Sequence, residues 1–496
     1  MNTALKKDWH TLANKLQPAS DHFIDGRYVE SIDGRRFENI NPANGMAHTT
    51  VARGSRKDVD AAVIAAQGAF ATWSRLAPRD RMKILLEFAD RIEADVDNLA
   101  LMDTLDMGMP ISEMVDIEVP EAAEIFRFFA ESIDKIHGEV SRTDVSAFNY
   151  ILHEPMGVVA AITPWNFPLT QAAGKLAPAL AAGNCVVLKP SEESPLSATR
   201  LAQLFVESGG PPGVFNVVNG LGHEAGKKLA KHMDVAKITF TGSVNVGRKM
   251  MIYAGKSNLK QVATELGGKS PQIILADVAD LDFATECAMH GIFGNTGQVC
   301  NAASRMLVHR SVHDEFVEKL SQITPANYAP GDPLDPETTM GPLVSAQQKK
   351  SVLAYIESGQ KAGAQLKFGG GSMADSSGFF VQPTMFTEVD NSMRIAQEEI
   401  FGPVASVIGF DDADEAIAIA NDTIYGLTAS VFTRDHATAH RMARDIQAGV
   451  VWLNTMNESD MTMPWGGVKQ SGNARDGCLA TMYSYLHTKS VWTRLG

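Results

Sequence analysis

Gly157-Val-Val-Ala-Ala-Ile162, Cys185-Val-Val-Leu188, Phe215-Asn-Val-Val218, Lys237-Ile-Thr-Phe240 and Gln261-Val-Ala-Thr-Glu265 are five short β-branched runs inside a single stretch, residues 157–265. Helical periodicity fills the gaps between them, over 197–207, 224–232 and 246–253. Strand and helix alternating at this spacing predict a parallel sheet with helices on both faces. Such a sheet binds ligands at the carboxyl ends of its strands. Upstream, 57–136 reads as several amphipathic helices, with Phe70, Trp73, Leu85, Phe88, Ile92 and Leu99 at helical spacing. Downstream, 271–460 alternates again, with strands at Gln272-Ile-Ile-Leu275, Arg305-Met-Leu-Val308, Ala405-Ser-Val-Ile408 and Gly449-Val-Val-Trp-Leu453. This predicts a second α/β lobe. Phe148-Asn-Tyr-Ile-Leu-His153 and Ser490-Val-Trp-Thr493 read as strands of neither lobe, either a β-extension of one subunit or an edge that pairs between subunits.

A chain of 496 residues is too long for one hydrophobic core, so two or three packed lobes are expected. It is 45% hydrophobic and 21% charged, as in a soluble globular protein, and its net charge is −14. Without a basic run to oppose that charge, nucleic acid is an unlikely partner class on electrostatic grounds. No apolar stretch nears the length of a membrane span. The first 17 residues lack the uninterrupted apolar core of a secretory signal, and a cytoplasmic protein is expected. The four cysteines, Cys185, Cys287, Cys300 and Cys478, form no C-x-x-C pair, which fits a reducing compartment. The 13 histidines include no His-Glu-x-x-His, so no metal is expected.

Two glycine turns follow strands and open helices. Gly220-Leu-Gly222-His-Glu-Ala-Gly226 departs from the usual dinucleotide fingerprint, and its glycines alone are as easily explained by backbone geometry. Phe240-Thr-Gly242-Ser243-Val-Asn-Val-Gly247 adds a hydroxyl and free N–H groups at a second helix start, and the two together favour a nucleotide. Cys185 sits in an apolar strand and reads as a small buried hydrophobe, as by default do Cys287 and Cys478. Cys300 differs. It follows the glycine-bearing loop Gly294-Asn-Thr-Gly297-Gln298-Val299, where a thiol can stay accessible. Glu265 ends a strand just before Leu266-Gly267-Gly268-Lys269, a position suited to chemistry or, alternatively, to a solvated loop carboxylate.

Six ordered motifs, Thr163-Pro164-Trp165-Asn166-Phe167-Pro168, Lys189-Pro190-Ser191-Glu192, Phe240-Thr241-Gly242-Ser243, Glu265-Leu266-Gly267-Gly268-Lys269-Ser270-Pro271, Gly297-Gln298-Val299-Cys300 and Glu399-Ile400-Phe401-Gly402-Pro403, resemble those of the aldehyde dehydrogenase superfamily over nearly the whole chain. The resemblance implies two doubly wound α/β lobes plus a β oligomerisation extension. It divides the chain into an NAD-binding domain, 1–132 and 154–264, a catalytic domain, 265–470, and oligomerisation segments, 133–153 and 471–496.

It further implies that Cys300 is the nucleophile, that Asn166 with the Cys300 backbone N–H steadies the oxyanion, and that Glu265 is the base that hydrolyses a thioester to free acid. NAD is the implied cofactor, with NADP as the alternative, since the Glu192 carboxylate would repel a 2′-phosphate. Its implied contacts are Ile162, Thr163, Trp165, Lys189, Glu192, Gly222, Gly226, Phe240, Ser243, Leu266, Glu399 and Phe401. Phe167, Gly174, Glu458 and Asp460 match the substrate tunnel. The nearest subfamily resemblance is to bacterial dehydrogenases of ω-amino, guanidino or γ-glutamylamino butyraldehydes, through Asn457-Glu458-Ser459-Asp460-Met461-Thr462 and Lys469-Gln470-Ser471-Gly472-Asn473. Glu458 and Asp460, or Asp116 and Glu118, would then attract a cationic tail, unless they are merely solvated. Gly174 departs from a tryptophan common in relatives, which implies a wider tunnel and, as the alternative, broad use of bulky or aromatic aldehydes. A homodimer or homotetramer is the implied assembly. A non-catalytic NAD-binding protein and a thiol esterase are the remaining alternatives, the second leaving Lys189, Glu192 and Glu399 without a role.

Overall fold

The computed structural model describes residues 4–141, 143–373 and 376–496. All five expected strands of the first lobe form. In spatial order they run Gln261–Leu266, Lys237–Gly242, Val158–Ile162, Cys185–Lys189 and Phe215–Val217, all parallel, with the antiparallel pair His22–Ile24 and Arg27–Val29 closing the sheet. Chain order spreads both ways from Val158–Ile162, so the sheet is doubly wound. Its switch point lies between that strand and Lys237–Gly242, where the ends of two strands part to leave a crevice.

The helices at 197–207 and 246–253 form as Leu196–Glu207 and Val244–Gly255. The expected helix over 224–232 is corrected: Gly222–Gly226 makes one wide π turn and only Lys227–Ala230 is α-helical. Glycine loses the most backbone freedom in a helix, and two of them bracket this turn.

The second sheet has the order Gln365–Phe368, Thr384–Thr387, Val404–Phe410, Arg305–His309, Pro271–Ile274, Thr428–Phe432 and Val450–Leu453, parallel except for its first edge strand. Successive residues of these strands enter different cores. Ile273, Leu307, Val404 and Ile408 pack on one face, whereas Ile274, Met306, Val308 and Val407 pack on the other. Burial on both faces is what a parallel sheet requires.

A third sheet stands apart from both. Leu486–Arg494 pairs with Ala147–Pro155 along its whole length, from Leu486 opposite Pro155 to Arg494 opposite Ala147, and Glu139–Ser141 completes it. The N-terminal arm is docked over its described part. Trp9, in the helix Trp9–Lys15, is buried and donates its indole N–H to the Ala4 carbonyl at 2.9 Å. Among the described residues no helix is long and apolar enough to cross a membrane.

Candidate active site

The two large sheets meet end to end. The strand Gln261–Leu266 delivers Glu265 at its carboxyl end, and four residues later the chain starts Pro271–Ile274 in the second sheet. Pro271 pairs with Arg305, so the loop carrying Cys300 enters the second sheet at the same edge. Asn166 lies between the strand Val158–Ile162 and the helix Pro168–Ala181, on the first lobe's side of the junction. Residues far apart in sequence are thereby brought to one seam.

Cys300 is presented by a strained loop. Asn295, Thr296 and Gly297 have φ of 44°, 57° and 70°, three consecutive residues in the left-handed region. That region costs non-glycine residues about 1–2 kcal/mol each, and a β-branched threonine is unusual there. Specific hydrogen bonds hold the conformation. Asn295 Nδ2 donates to the Asn166 carbonyl at 2.8 Å, Thr296 Oγ1 to the Gly341 carbonyl at 2.9 Å, and Asn166 Nδ2 to the Gln298 carbonyl at 2.9 Å. The Val344 N–H in turn donates to Gln298 Oε1 at 2.9 Å. At Gly297 a Cβ would lie 2.3 Å from the Gly402 carbonyl oxygen, so the Glu399-Ile-Phe-Gly-Pro segment clamps the loop and only glycine fits between them. Phe401, also left-handed with φ of 57°, meets the Trp165 ring edge-on at 5.3 Å.

Asn166 is thus bonded to the loop on both sides, yet its amide has two N–H donors and the Gln298 carbonyl uses one. The second has no acceptor among the described residues. Burial pushes the Cys300 thiol up to about 12, with the Glu399 and Glu265 carboxylates adding to the shift, while the N–H groups of Asn301 and Cys300 itself oppose it.

Glu265 is 5% exposed, which removes the solvated-loop alternative. Burial first, then the nearby Asp476, holds its carboxyl well above the usual range, against the pull of Lys175 and Arg475. Its Oε1 has no hydrogen-bond partner among the described residues. A buried acceptor left open beside a nucleophile is suited to take a proton from water or thiol. Behind it, Lys175, 1% exposed in the helix Pro168–Ala181, makes a short ion pair with Asp476. Sequence reading did not single out this pair. A lysine in an otherwise apolar helix was the available signal, but its partner lies 301 residues away.

The first lobe offers a cleft that fits a dinucleotide. Lys189, at the end of its strand, donates to Glu192 Oε2 at 2.9 Å, and the Gly222 N–H donates to Glu192 Oε1 at 3.3 Å. A Cβ at Gly222 would lie 3.9 Å from Glu192 and one at Gly226 3.7 Å from Lys189, so both glycines face this pair at ordinary contact distance. Ile162 ends its strand and pairs with Phe240 of the neighbouring one across the switch point, Thr163 follows the first, and Ser243 caps the helix Val244–Gly255 by accepting from the Val246 N–H. Across the seam Glu399 Oε1 accepts from the Gly268 N–H at 3.2 Å, and a Cβ at Gly267 would collide with its carboxylate at 2.0 Å. Leu266 lies beside this contact, buried against Gly247. Burial raises Glu399 to about 7.

The expected tunnel residues divide. Phe167 and Gly174 lie two turns apart along the same helix, and a Cβ on Gly174 would meet nothing within 4 Å. Glu458 is exposed, and its carbonyl accepts from the Trp452 indole N–H at 2.8 Å. Asp460 is exposed with its carboxylate folded onto Thr462 N and Oγ1, which hold it below the usual carboxylate range. Cys185 and Cys478 are buried as expected, whereas Cys287 is only partly so.

The model of the aldehyde dehydrogenase family matches residues 28–491. The chain belongs to the aldehyde dehydrogenase family. Its relatives include the NADP/NAD-dependent aldehyde dehydrogenase PuuC of Escherichia coli (strain K12), 45% identical over 489 residues that cover 98% of each chain. Among solved structures, the gamma-glutamyl-gamma-aminobutyraldehyde dehydrogenase of Burkholderia cenocepacia J2315 is 49% identical, with a TM-score of 0.96 over 99% of both chains. A mutant of the indole-3-acetaldehyde dehydrogenase AldA of P. syringae, in complex with NAD+ and IAA, is 47% identical, with a TM-score of 0.97 over 98% of this chain and 99% of its own. The aldehyde dehydrogenase fold thus holds end to end.

Proposed function

We propose that this aldehyde dehydrogenase oxidises an aldehyde to the free acid through a thioester on Cys300, and that its substrates are ω-aminoaldehydes. The observation that carries the reading is the seam itself, where a strained loop presents Cys300 to the Asn166 amide and the open Glu265 carboxylate. NAD, held by Lys189, Glu192, Ser243 and Glu399, supplies the hydride acceptor when bound. The protein's own part is to add the Cys300 sulfur to the carbonyl carbon, giving a tetrahedral thiohemiacetal. Asn166 and the Cys300 N–H stabilise its oxygen, and loss of hydride leaves the thioester. Glu265 then deprotonates water for attack on that thioester, releasing the acid and restoring the thiol. NADH production across aminoaldehydes, straight-chain and aromatic aldehydes tests the reading, and equal specificity constants for charged and neutral tails would count against the substrate class.

Asn166→Ala is expected to lower kcat about 10²–10³-fold, the range for removing one oxyanion donor. KM should change much less, and a defect confined to KM would remove Asn166 from this role.

The likeness to a solved gamma-glutamyl-gamma-aminobutyraldehyde dehydrogenase supports the substrate class. Among the acidic side chains, Glu118 has the best placement. It is 3% exposed, and its Oε1 accepts from Thr170 N at 3.0 Å and Oγ1 at 2.9 Å, one helical turn from Gly174 on the same helix. Burial raises Glu118 to about 8, so it is largely neutral at pH 7. A cationic tail should therefore bind better as pH rises through about 8 and Glu118 ionises. The KM of an aminoaldehyde, but not of a neutral aldehyde of equal length, should fall over that range in wild type and stay flat in Glu118→Gln.

The open space at Gly174 favours a second reading, broad use of bulky aldehydes, which the likeness to an indole-3-acetaldehyde dehydrogenase also supports. Gly174→Trp is expected to cut kcat/KM for aromatic aldehydes about tenfold or more, the scale of one steric mismatch in a pocket, while sparing short ones. Unchanged relative rates across a size series would exclude a tunnel role for Gly174.

The third sheet supports a homo-oligomer. Trp492, Val140 and Phe148 are 69%, 65% and 45% exposed there, an apolar surface that a partner copy would cover.

A further inference from the structure

On the outer side of the cofactor cleft, the start of the helix Arg56–Trp73 and the 222–230 turn enclose a surface cavity of about 250 Å³. Arg35, Ser55, Arg56, His223, Lys227 and Lys228 line it, together with one carboxylate, Glu224. That carboxylate does not neutralise the rest. Arg53, behind the lining, takes both its oxygens at 2.9 and 2.7 Å, and Arg35 adds a contact at 3.4 Å. The Arg53 hydrogen bonds hold Glu224 below the usual carboxylate range, so it is spent on its own neighbours. Arg56 has a single loose ion pair, to Asp60 at 3.5 Å, and Lys227 and Lys228 have no ion-pair partner among the described residues.

The helix N-terminus is not the source of the positive field. Ser55 and Asp58 close it as a capping box, with Asp58 also bonded to the Ile32 N–H at 2.8 Å. The field comes from Arg56, Lys227 and Lys228 gathered in one concavity on a chain whose net charge is −14, Arg35 being engaged by Asp33 at 2.7 Å as well as by Glu224. Such a local inversion concentrates anions. The volume is several times a water's share of about 30 Å³, so the cavity has room for a multi-atom anion. The Arg56 guanidinium fork and two ammonium groups match a tetrahedral, multiply charged group better than a single carboxylate.

We propose that this cavity is a binding site for a phosphate-bearing anion, separate from the catalytic seam. The phosphate has two sources with the same chemistry, a free polyphosphate or the 2′-phosphate of a bound NADP reaching across the Gly222–Gly226 turn. Titration calorimetry of the full-length protein with tripolyphosphate, at constant ionic strength, tests the site. Saturable binding is expected, weakened tenfold or more in the double variant Arg56→Glu/Lys228→Glu, whose turnover with saturating NAD and aldehyde stays at the wild-type level. Should circular dichroism show that variant misfolded, Lys228→Gln alone should still weaken binding measurably. Binding retained in saturating NAD and NADP alike assigns the site to a free anion, and binding lost only in NADP assigns it to the cofactor's phosphate. Absence of saturable binding, or equal affinity in wild type and the charge-reversed variant, overturns the proposal.

Discussion

Replacing Cys300 with alanine is expected to abolish NADH production, with a loss on the order of 10⁶ in kcat, the scale seen when a covalent nucleophile is removed. The size follows from the chemistry: without sulfur on the carbonyl carbon there is no tetrahedral centre from which hydride can leave. The fold should not suffer. The loop is held by Asn295, Thr296 and Gln298 through hydrogen bonds that do not involve the thiol, so cofactor-induced thermal stabilisation should persist. Turnover by the alanine variant within tenfold of wild type would require another nucleophile. The raised thiol adds a second, independent readout. With Cys300 at about 12 in the cofactor-free protein, thiolate is scarce at neutral pH and its fraction grows tenfold per pH unit. Alkylation of cofactor-free enzyme by iodoacetamide should therefore be slow at pH 7 and accelerate steadily up to at least pH 10. A plateau near neutrality would mean that the thiol is ionised before cofactor binds.

The strands of both lobes were legible where β-branched residues ran together, as at Val158–Ile162 and Arg305–His309, because burial on both faces leaves an uninterrupted apolar signature. Thr428–Phe432 and Thr384–Thr387 escaped the same reading. Small and hydroxyl-bearing residues dilute the former, and the latter is four residues long beside Pro383. In the site, Cys300 and Glu265 stood out through their local context, a glycine loop and a strand end. Asn166, Lys189, Glu192, Glu399 and Phe401 carry no such local signal and came from motif resemblance alone. What neither route supplied is the way the parts interlock. The left-handed Asn295 and Thr296 are forced by partners at Asn166 and Gly341, and the Lys175–Asp476 pair joins a helix of the first lobe to the C-terminal segment. Contacts of that kind depend on tertiary placement and leave no periodicity in the chain.

The proposed mechanism gives Cys300 and Glu265 unequal tasks, and Glu265→Gln should separate them. Acylation needs Cys300, Asn166 and the cofactor, all still present in that variant, so the first turnover should release a burst of NADH close to one per active site. Deacylation needs a base for water, and the steady rate after the burst should fall about 10²–10⁴-fold, the usual worth of a positioned general base. The thioester then accumulates and is detectable as an acyl adduct by mass spectrometry of the intact protein. The pH dependence follows from the environment of the carboxylate. Burial and Asp476 raise Glu265 well above the ordinary glutamate range, so its basic form is lost at a higher pH than for a solvated glutamate. The wild-type steady rate should accordingly climb with pH over a range displaced upward from that of a solvated glutamate, and the climb should vanish in Glu265→Gln. Lys175, ahead of Arg475, opposes this rise, so Lys175→Met should move the ascending limb to higher pH without removing the burst. A Glu265→Gln variant that loses its burst together with its steady rate would instead make Glu265 the base that deprotonates Cys300, and acylation the step that it controls.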